Sequence, residues 1–271
     1  MSLLSGNALV TGAGSGIGRQ LSLAYVRAGI QGITLADVNP KSLGETAKLI
    51  REEFPQVGIK EVAVDVTDEA SVNHMVDEAV KAFGTLDCAA NAAGVIVNVR
   101  AKAAEIPTSD FDRVMNINAR AVALCMQAEA RVMLKEPRKL TGTMWKDERR
   151  GQVGSIVNFA SVCGFVSMPS VMPYVASKHA VMGMTRSAAV DHAGDGLRVN
   201  AVCPGIVDTP FLDNLKEMLG GDTKAAPFAN PQGRLCLPDE IAEACIFLSS
   251  TMSSYVNGVA LVSDGGKTAQ Y

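Results

Sequence analysis

Only three histidines occur in the 271 residues, His74, His179 and His192, and none shares a spacing with carboxylates that suggests a metal site or a hydrolytic triad. Cysteine excludes as much. Cys88, Cys125, Cys163, Cys203, Cys236 and Cys245 lack C-x-x-C spacing, which argues against a zinc site or a disulfide framework and for reduced core thiols. Neither sign of charge dominates: the net charge is -3 and the isoelectric point about 5.7, so there is no basic stripe for nucleic acid. Apolar runs end well short of the ~18 residues a membrane span requires. No Pro/Gly/Ser-rich linker or internal repeat divides the chain, and Asn7 opens an apolar segment almost at once, so no signal peptide is expected. These absences predict one domain over residues 1–271, no metal, no nucleic-acid or membrane partner, and a soluble cytoplasmic protein.

What is present is an alternation. Short apolar segments at 7–10, 32–36, 61–65, 86–90, 154–159, 197–202 and 259–262 read as strands, with helical patterns between them. Short parallel strands need crossovers, and crossover helices cover both faces of a sheet. The predicted fold is therefore α/β, a doubly wound parallel sheet of the Rossmann type with about seven strands and helices on both faces. Ligands bind such sheets beyond the carboxyl ends of the strands.

The first strand runs into Thr11-Gly-Ala-Gly-Ser-Gly-Ile-Gly18 and then a helical pattern, Leu21, Leu23, Ala24, Val26. Glycines let a backbone turn sharply and approach a phosphate with no Cβ between, while the free N–H groups of a helix start supply donors and partial positive charge. The spacing is G-x-x-x-G-x-G, carried by Gly12, Gly16 and Gly18 with Gly14 as an extra, and a dinucleotide pyrophosphate fits it. The second strand ends in Asp37, about twenty residues beyond the last glycine, where a carboxylate accepts from both hydroxyls of an adenosine ribose. That carboxylate would repel a 2′-phosphate, and neither the turn before Gly16 nor Val38 offers a cation to offset it. NAD is the expected cofactor and NADP the alternative. Asn39-Pro40 supplies a cap and a first residue for the next helix.

Further along, Tyr174-Val-Ala-Ser-Lys178 places a phenol and an ammonium four residues apart, on one face of a helix. A nearby cation favours the phenolate and lowers a pKa that is otherwise about 10, so this tyrosine is expected to trade a proton near neutral pH. Ser161, thirteen residues earlier, follows the apolar run 155–160, which reads as a strand end. Its hydroxyl is positioned to bond the oxygen that Tyr174 protonates. Taken alone, the tyrosine and lysine also read as an amphipathic helix face.

From about residue 5 to residue 266 the chain resembles the classical short-chain dehydrogenase/reductase family, whose motifs arrive here in order: Thr11 to Gly18, Asp65-Val-Thr-Asp68, Asn91-Ala-Ala-Gly94, Asn116-Ile-Asn118, Ser161, Tyr174 and Lys178, and Pro204-Gly-Ile-Val-Asp-Thr209. The resemblance implies a catalytic tetrad of Asn118, Ser161, Tyr174 and Lys178. Tyr174 would act as general acid in ketone reduction and as base in alcohol oxidation, and Ser161 would share the charge developing on the carbonyl oxygen. Lys178 would bind the nicotinamide ribose, and Asn118 would hold a water linking the lysine to solvent. The implied cofactor contacts are Gly12, Ser15, Gly16, Ile17, Gly18, Asp37, Asp65, Val66, Asn91, Ala93, Gly94, Tyr174, Lys178, Pro204, Gly205, Val207 and Thr209. Two positions depart from the family: Ala92 stands where a second asparagine is usual, which puts the bracing of the central strands in doubt, and Ala121 replaces a common glycine.

Substrate is expected to meet Val95, Ser161, Cys163, Phe165, Met168, Tyr174, Phe211 and Leu212, with Val166, Val171, Met172, Leu215 and Met218 adding an apolar lining. In the family, residues matching 206–233 form a lid. The expected activity is hydride transfer between NAD(H) and a secondary alcohol or ketone, hydrophobic or cyclic. An NADP-dependent carbonyl reductase is the alternative enzyme, and a cofactor-binding scaffold with a regulatory or non-redox role the alternative from another class. By resemblance the chain would be a homo-oligomer, tetramer or dimer. The basic segment 135–152, with Trp145 and six Lys or Arg diluted by three acids, is expected to be a solvated loop.

Overall fold

The computed structural model describes residues 2–213 and 230–270. Seven parallel strands form one sheet in the order β3-β2-β1-β4-β5-β6-β7. They are β1 (Asn7–Thr11), β2 (Gly32–Asp37), β3 (Gly58–Ala63), β4 (Cys88–Asn91), β5 (Gly154–Phe159), β6 (Leu197–Pro204) and β7 (Ala260–Ser263). Between them lie α1 (Gly16–Ala28), α2 (Pro40–Glu53), α3 (Glu69–Phe83), α4 (Thr108–Met115), α5 (Ala121–Met133), α6 (Met172–Asp191) and α7 (Pro238–Ser249). A five-residue π turn, Asn116–Arg120, joins α4 to α5.

Successive side chains of a strand point to opposite faces, and the two cores divide accordingly. Ala8 and Val10 of β1, Cys88 and Ala90 of β4 and Val157 and Phe159 of β5 pack with α1, α2 and α7. Leu9, Ala89 and Ile156, one residue out of step, pack with α3 and α5 on the other face. The doubly wound sheet with helices on both faces is thus as the sequence predicts. After β3 the chain returns to place β4 beside β1, so strand order reverses between β1 and β4. That switch point opens a crevice at the carboxyl ends.

Local signals account for most element ends. Asn39 Oδ1 accepts the N–H groups of Lys41 and Ser42 to start α2, and Asp68 caps α3 through the Ser71 N–H. Strand β3 lies earlier than the predicted 61–65: a turn closed by Val57 N–H to Phe54 O delivers Gly58 to Gln31 O. Lys60 and Glu61 on this edge strand break the apolar signal that would have marked it.

Within the 135–152 segment, residues 143–149 are exposed as expected of a solvated loop, while the stretch before them is held to the body of the protein. Lys139 pairs with the buried Asp87 at 2.6 Å and exchanges backbone hydrogen bonds with Gln152. Thr141 bonds Thr251, Gly142 N–H donates to Ser5 Oγ, and Thr143 N–H donates to Ser2 O. The segment straps the amino-terminal ends of the strands, opposite the crevice. Among the described residues no helix is long and apolar enough to cross a membrane, and the six cysteines are free thiols.

Candidate active site

A cleft of ≈ 1200 Å³ lies along the carboxyl ends of the strands, large enough for a dinucleotide and a small substrate together. Its floor on one side is the β1–α1 turn. Gly12 has φ +68, and a Cβ there would meet the Ala93 backbone nitrogen at 2.9 Å. At Gly18 a Cβ would lie 2.1 Å from Gly12 O, so this residue type lets the turn fold back on the helix start. Ser15 caps α1 with no hydrogen bond from its own side chain, which leaves hydroxyl and helix N–H groups facing the cleft. This cradle fits a pyrophosphate on its own geometry. Asp37, at the end of β2, accepts Gly14 N–H and Asn39 N–H at 3.0 Å each and lines the cleft. Asp65 and Val66 line it beyond β3, with the Asp65 carboxyl drawn below its usual range by hydrogen bonds from the side chain and backbone of Thr67.

Ser161, Tyr174 and Lys178 converge at the other end. Ser161 follows β5 in extended backbone, and its Oγ accepts Cys163 N–H at 3.1 Å. Because that bond uses a lone pair, the hydroxyl proton stays available for an acceptor in the cleft. Lys178 is buried and donates to Phe159 O at 2.7 Å, with its ammonium 5.5 Å from the centroid of the Tyr174 ring. Burial lowers its pKa to about 8, which keeps it largely cationic at neutral pH. The expectation of a depressed tyrosine is corrected here. Burial raises the Tyr174 phenol above its ordinary value and Cys163 adds to the rise, while hydrogen bonding from the Ser161 side chain opposes it. Desolvation of the phenolate outweighs that hydrogen bond.

Asn118 lies behind the cleft wall. It is fully buried on the π turn, and its carboxamide both accepts Val95 N–H and donates to Val95 O, at 2.8 Å each, with Ser177 Oγ at 3.3 Å. The side chain is engaged with the loop after β4 rather than lining the cleft, and so holds Val95 in place. A π turn inserts one extra residue into a helix and re-aims its neighbours. Here it turns Ile117 into the cleft and lets Arg120 donate to Thr67 O at 2.7 Å, tying the Asn118 turn to the wall beside Asp65. Asn91 is likewise withdrawn: it is buried, and its amide donates to Glu129 and Asn158, both at 3.0 Å. These bonds supply bracing that Ala92 seemed to remove. The wall of the cleft here is lined by Ala92, Ala93 and Gly94 instead.

Of the remaining expected contacts, Gly12, Ser15, Gly16, Ile17, Gly18, Pro204, Gly205, Val207 and Thr209 all line the cleft. So do Val95, Cys163, Met168, Phe211 and Leu212, and Phe211 leans on Tyr174 with ring centroids 6.1 Å apart. Phe165 does not. It follows the one-turn helix Val162–Gly164 with its side chain out in solvent, and Val166 takes the lining position. Val171 is packed in a core cluster and Met172 is exposed, so neither lines the cleft. Leu215 and Met218, with most of the expected lid, lie outside the described residues.

Several contributors were not anticipated. Asp110 accepts Asn98 and Val99 N–H, and Arg113 pairs with Asp110 and donates to Ile96 O at 2.6 Å. Together with Asn118 they pin the 95–99 loop. The i,i+3 acid–arginine spacing after Pro107 was the available signal. Lys267 and Asp264, beyond β7, also line the cleft.

Comparison with known proteins agrees with this arrangement. A family model described as enoyl-(acyl carrier protein) reductase matches residues 12–268. A protein named short-chain dehydrogenase fogB, from Aspergillus ruber, is 38% identical over 98% of this chain and 97% of its own length. A 2,5-dichloro-2,5-cyclohexadiene-1,4-diol dehydrogenase of Sphingobium indicum is 38% identical over 99% of this chain and 100% of its own. Among solved structures, levodione reductase superposes with a TM-score of 0.88 at 30% identity, covering 98% of each chain. A protein of Agrobacterium tumefaciens, provisionally named 2-deoxy-d-gluconate 3-dehydrogenase and solved with bound NADP, superposes at 0.82 and 30% identity over 99% of this chain and 98% of its own.

Proposed function

The chain belongs to the short-chain dehydrogenase/reductase family, and from that premise we propose that it transfers a hydride between NAD(H) and a hydrophobic or cyclic secondary alcohol or ketone. Oxidoreductase activity on CH–OH groups with a nicotinamide cofactor comes with the family. The observation that carries the finer reading is the meeting of Ser161, Tyr174 and Lys178 in the cleft that also holds the glycine turn. A nicotinamide cofactor, when bound, supplies or accepts the hydride. It would lie along Gly12–Gly18, Asp37, Ala93–Gly94 and Pro204–Thr209.

In reduction, the neutral Tyr174 phenol favoured by burial is the form that gives a proton to a carbonyl oxygen. The Ser161 hydroxyl would donate a hydrogen bond to the same oxygen and share the charge that develops there. Lys178, held by Phe159 O, keeps a positive charge near the phenol as the proton leaves. In oxidation these roles reverse. The apolar lining from Val95, Ile96, Val166, Met168, Phe211 and Leu212 favours a hydrophobic or cyclic substrate, as the names of the Sphingobium relative and of levodione reductase do. The proposed lid begins at residues 206–213, and most of it lies outside the described residues.

NADP is the second reading, supported by the NADP-bound neighbour and by Arg19, which bonds Gly14 O and Ser42 O near Asp37. Glu45 already pairs with that guanidinium at 3.0 Å, and Asp37 stays beside the cleft, so NAD is the better supported. The test is Tyr174→Phe, assayed by nicotinamide absorbance on a panel of cyclic alcohols and ketones. Hydride transfer is expected to fall by about 10²-fold or more with cofactor affinity retained. A variant that turns over at the wild-type rate would overturn the proposal.

A further inference from the structure

Beneath the cleft, on the α5 face of the sheet, four buried polar side chains form a line that the chemistry above does not use. Asn91 ends β4 and pairs in register with Asn158 of β5. Asn91 Nδ2 donates to Glu129 Oε2 and Asn158 Oδ1, and Asn158 Nδ2 donates to Thr185 Oγ1 at 3.0 Å. Glu129 and Asn158 are fully buried, Thr185 is too, and Asn91 is 2% exposed. Two atoms in the line have no partner, Glu129 Oε1 and Asn91 Oδ1.

An ionised Glu129 would leave both as acceptors without a donor. It would also bury a carboxylate with one hydrogen bond and no counter-charge, a state that costs several kcal/mol. Turning the Asn91 amide over does not help, because Oδ1 would then face Glu129 Oε2. In either orientation one proton on the glutamate would supply the donor that these two acceptors lack. We propose that Glu129 is kept as a neutral carboxylic acid in the folded protein, its hydroxyl donating to Asn91 Oδ1 while Asn91 Nδ2 donates to Glu129 Oε2. The two-bond acid–amide pair holds the end of β4, from which Ala92, Ala93 and Gly94 continue as a wall of the cleft. Glu129 is thus a positioning residue.

The surroundings agree. The face that α3 turns to α5 carries Val72, Met75, Val76 and Ala79, and α6 contributes Ala189 to the same cluster. The titratable groups that sense Glu129 are Cys125 on its own helix and Tyr25 on α1, both themselves pushed up by burial. Neither is cationic. Burial lifts the Glu129 carboxyl to about 7, against the opposing pull of the Asn91 amide. A carboxyl whose folded pKa is raised binds its proton more tightly folded than unfolded, so its stabilisation is full below the ordinary glutamate range and is lost as pH rises through about 7.

Infrared difference spectra of the full chain across this range test the assignment directly. The expected result is a neutral-acid carbonyl band at about pH 5.5, where exposed glutamates are ionised, that fades above about pH 8 and is missing in Glu129→Gln. The glutamine keeps both bonds to Asn91, so its thermal stability should lack the decline that the wild type shows between the ordinary glutamate range and neutrality. Absence of the band in the wild type, persistence of the same band in Glu129→Gln, or parallel pH–stability curves would each overturn the proposal. Should the variant not accumulate, the wild-type band and its titration decide. None of these readouts depends on which cofactor or substrate the cleft takes.

Discussion

The two halves of the cleft are built by different means. At the β1–α1 end the shape is backbone: Gly12 and Gly18 are where they are because a Cβ would strike Ala93 N or Gly12 O. At the other end the shape is side chain: Val95, Met168, Phe211 and Leu212 form a wall that another apolar set could replace. A backbone contact at 2.1 Å admits one residue type, whereas an apolar surface admits many. The cofactor half is therefore specified residue by residue, and the substrate half only in its general character.

The most severe way to break that contrast is Gly18→Ala. No rotamer relieves a Cβ against the carbonyl of Gly12, so the turn must open. We expect a loss of about 3 kcal/mol in stability, the upper end for overpacking, with cofactor binding abolished, measured by denaturant unfolding and by NADH fluorescence. An alanine variant with wild-type unfolding and binding would remove the steric basis of the comparison.

Asp37 sharpens it, since its contribution is chemical and not steric. Asp37→Ser removes the carboxylate proposed to accept from the ribose hydroxyls and to repel a 2′-phosphate, and leaves Gly14 and Asn39 N–H without their acceptor. Affinity for NADH should fall by about tenfold or more, the equivalent of a hydrogen bond to a charged group at ~1.5–3 kcal/mol, while affinity for NADPH rises. Titration of the variant with both cofactors checks this, and an unchanged NADH:NADPH ratio would count against NAD preference.

Legibility in the sequence follows the same division. The alternation of seven strands with helices and the glycine turn could be read because apolar alternation and a fixed glycine spacing are local signals, whereas the order of the strands in the sheet is a tertiary property. Ser161, Tyr174 and Lys178 could be read because their spacing along a strand end and a helix is itself the geometry. Asn118 and Asn91 could be located but their work could not, because what each amide meets, Val95 in one case and Glu129 in the other, is decided by tertiary contacts. The tyrosine pKa was misjudged for a related reason: an i,i+4 lysine is visible in the sequence, while the burial that raises the phenol is not. Phe165 failed on a one-turn helix that rotates successive side chains by a third of a circle, too short to leave a periodic trace.

The gentlest probe is Phe211, the aromatic that leans on Tyr174. The rings sit 6.1 Å apart at 47°, a tilted contact worth about 0.5–1.5 kcal/mol beyond its burial. Phe211 is 36% exposed, so removing it leaves little cavity in the core and stability should change by no more than about 0.5 kcal/mol. If the substrate half is an adaptable side-chain surface, Phe211→Ala should raise KM for a cyclic ketone by about three- to tenfold, leave cofactor affinity unchanged, and shift preference towards bulkier substrates. Steady-state kinetics on a size-graded ketone series would show it. A large loss of kcat with KM unchanged would mean that Phe211 orients the tyrosine, and that this half too is built to a single shape.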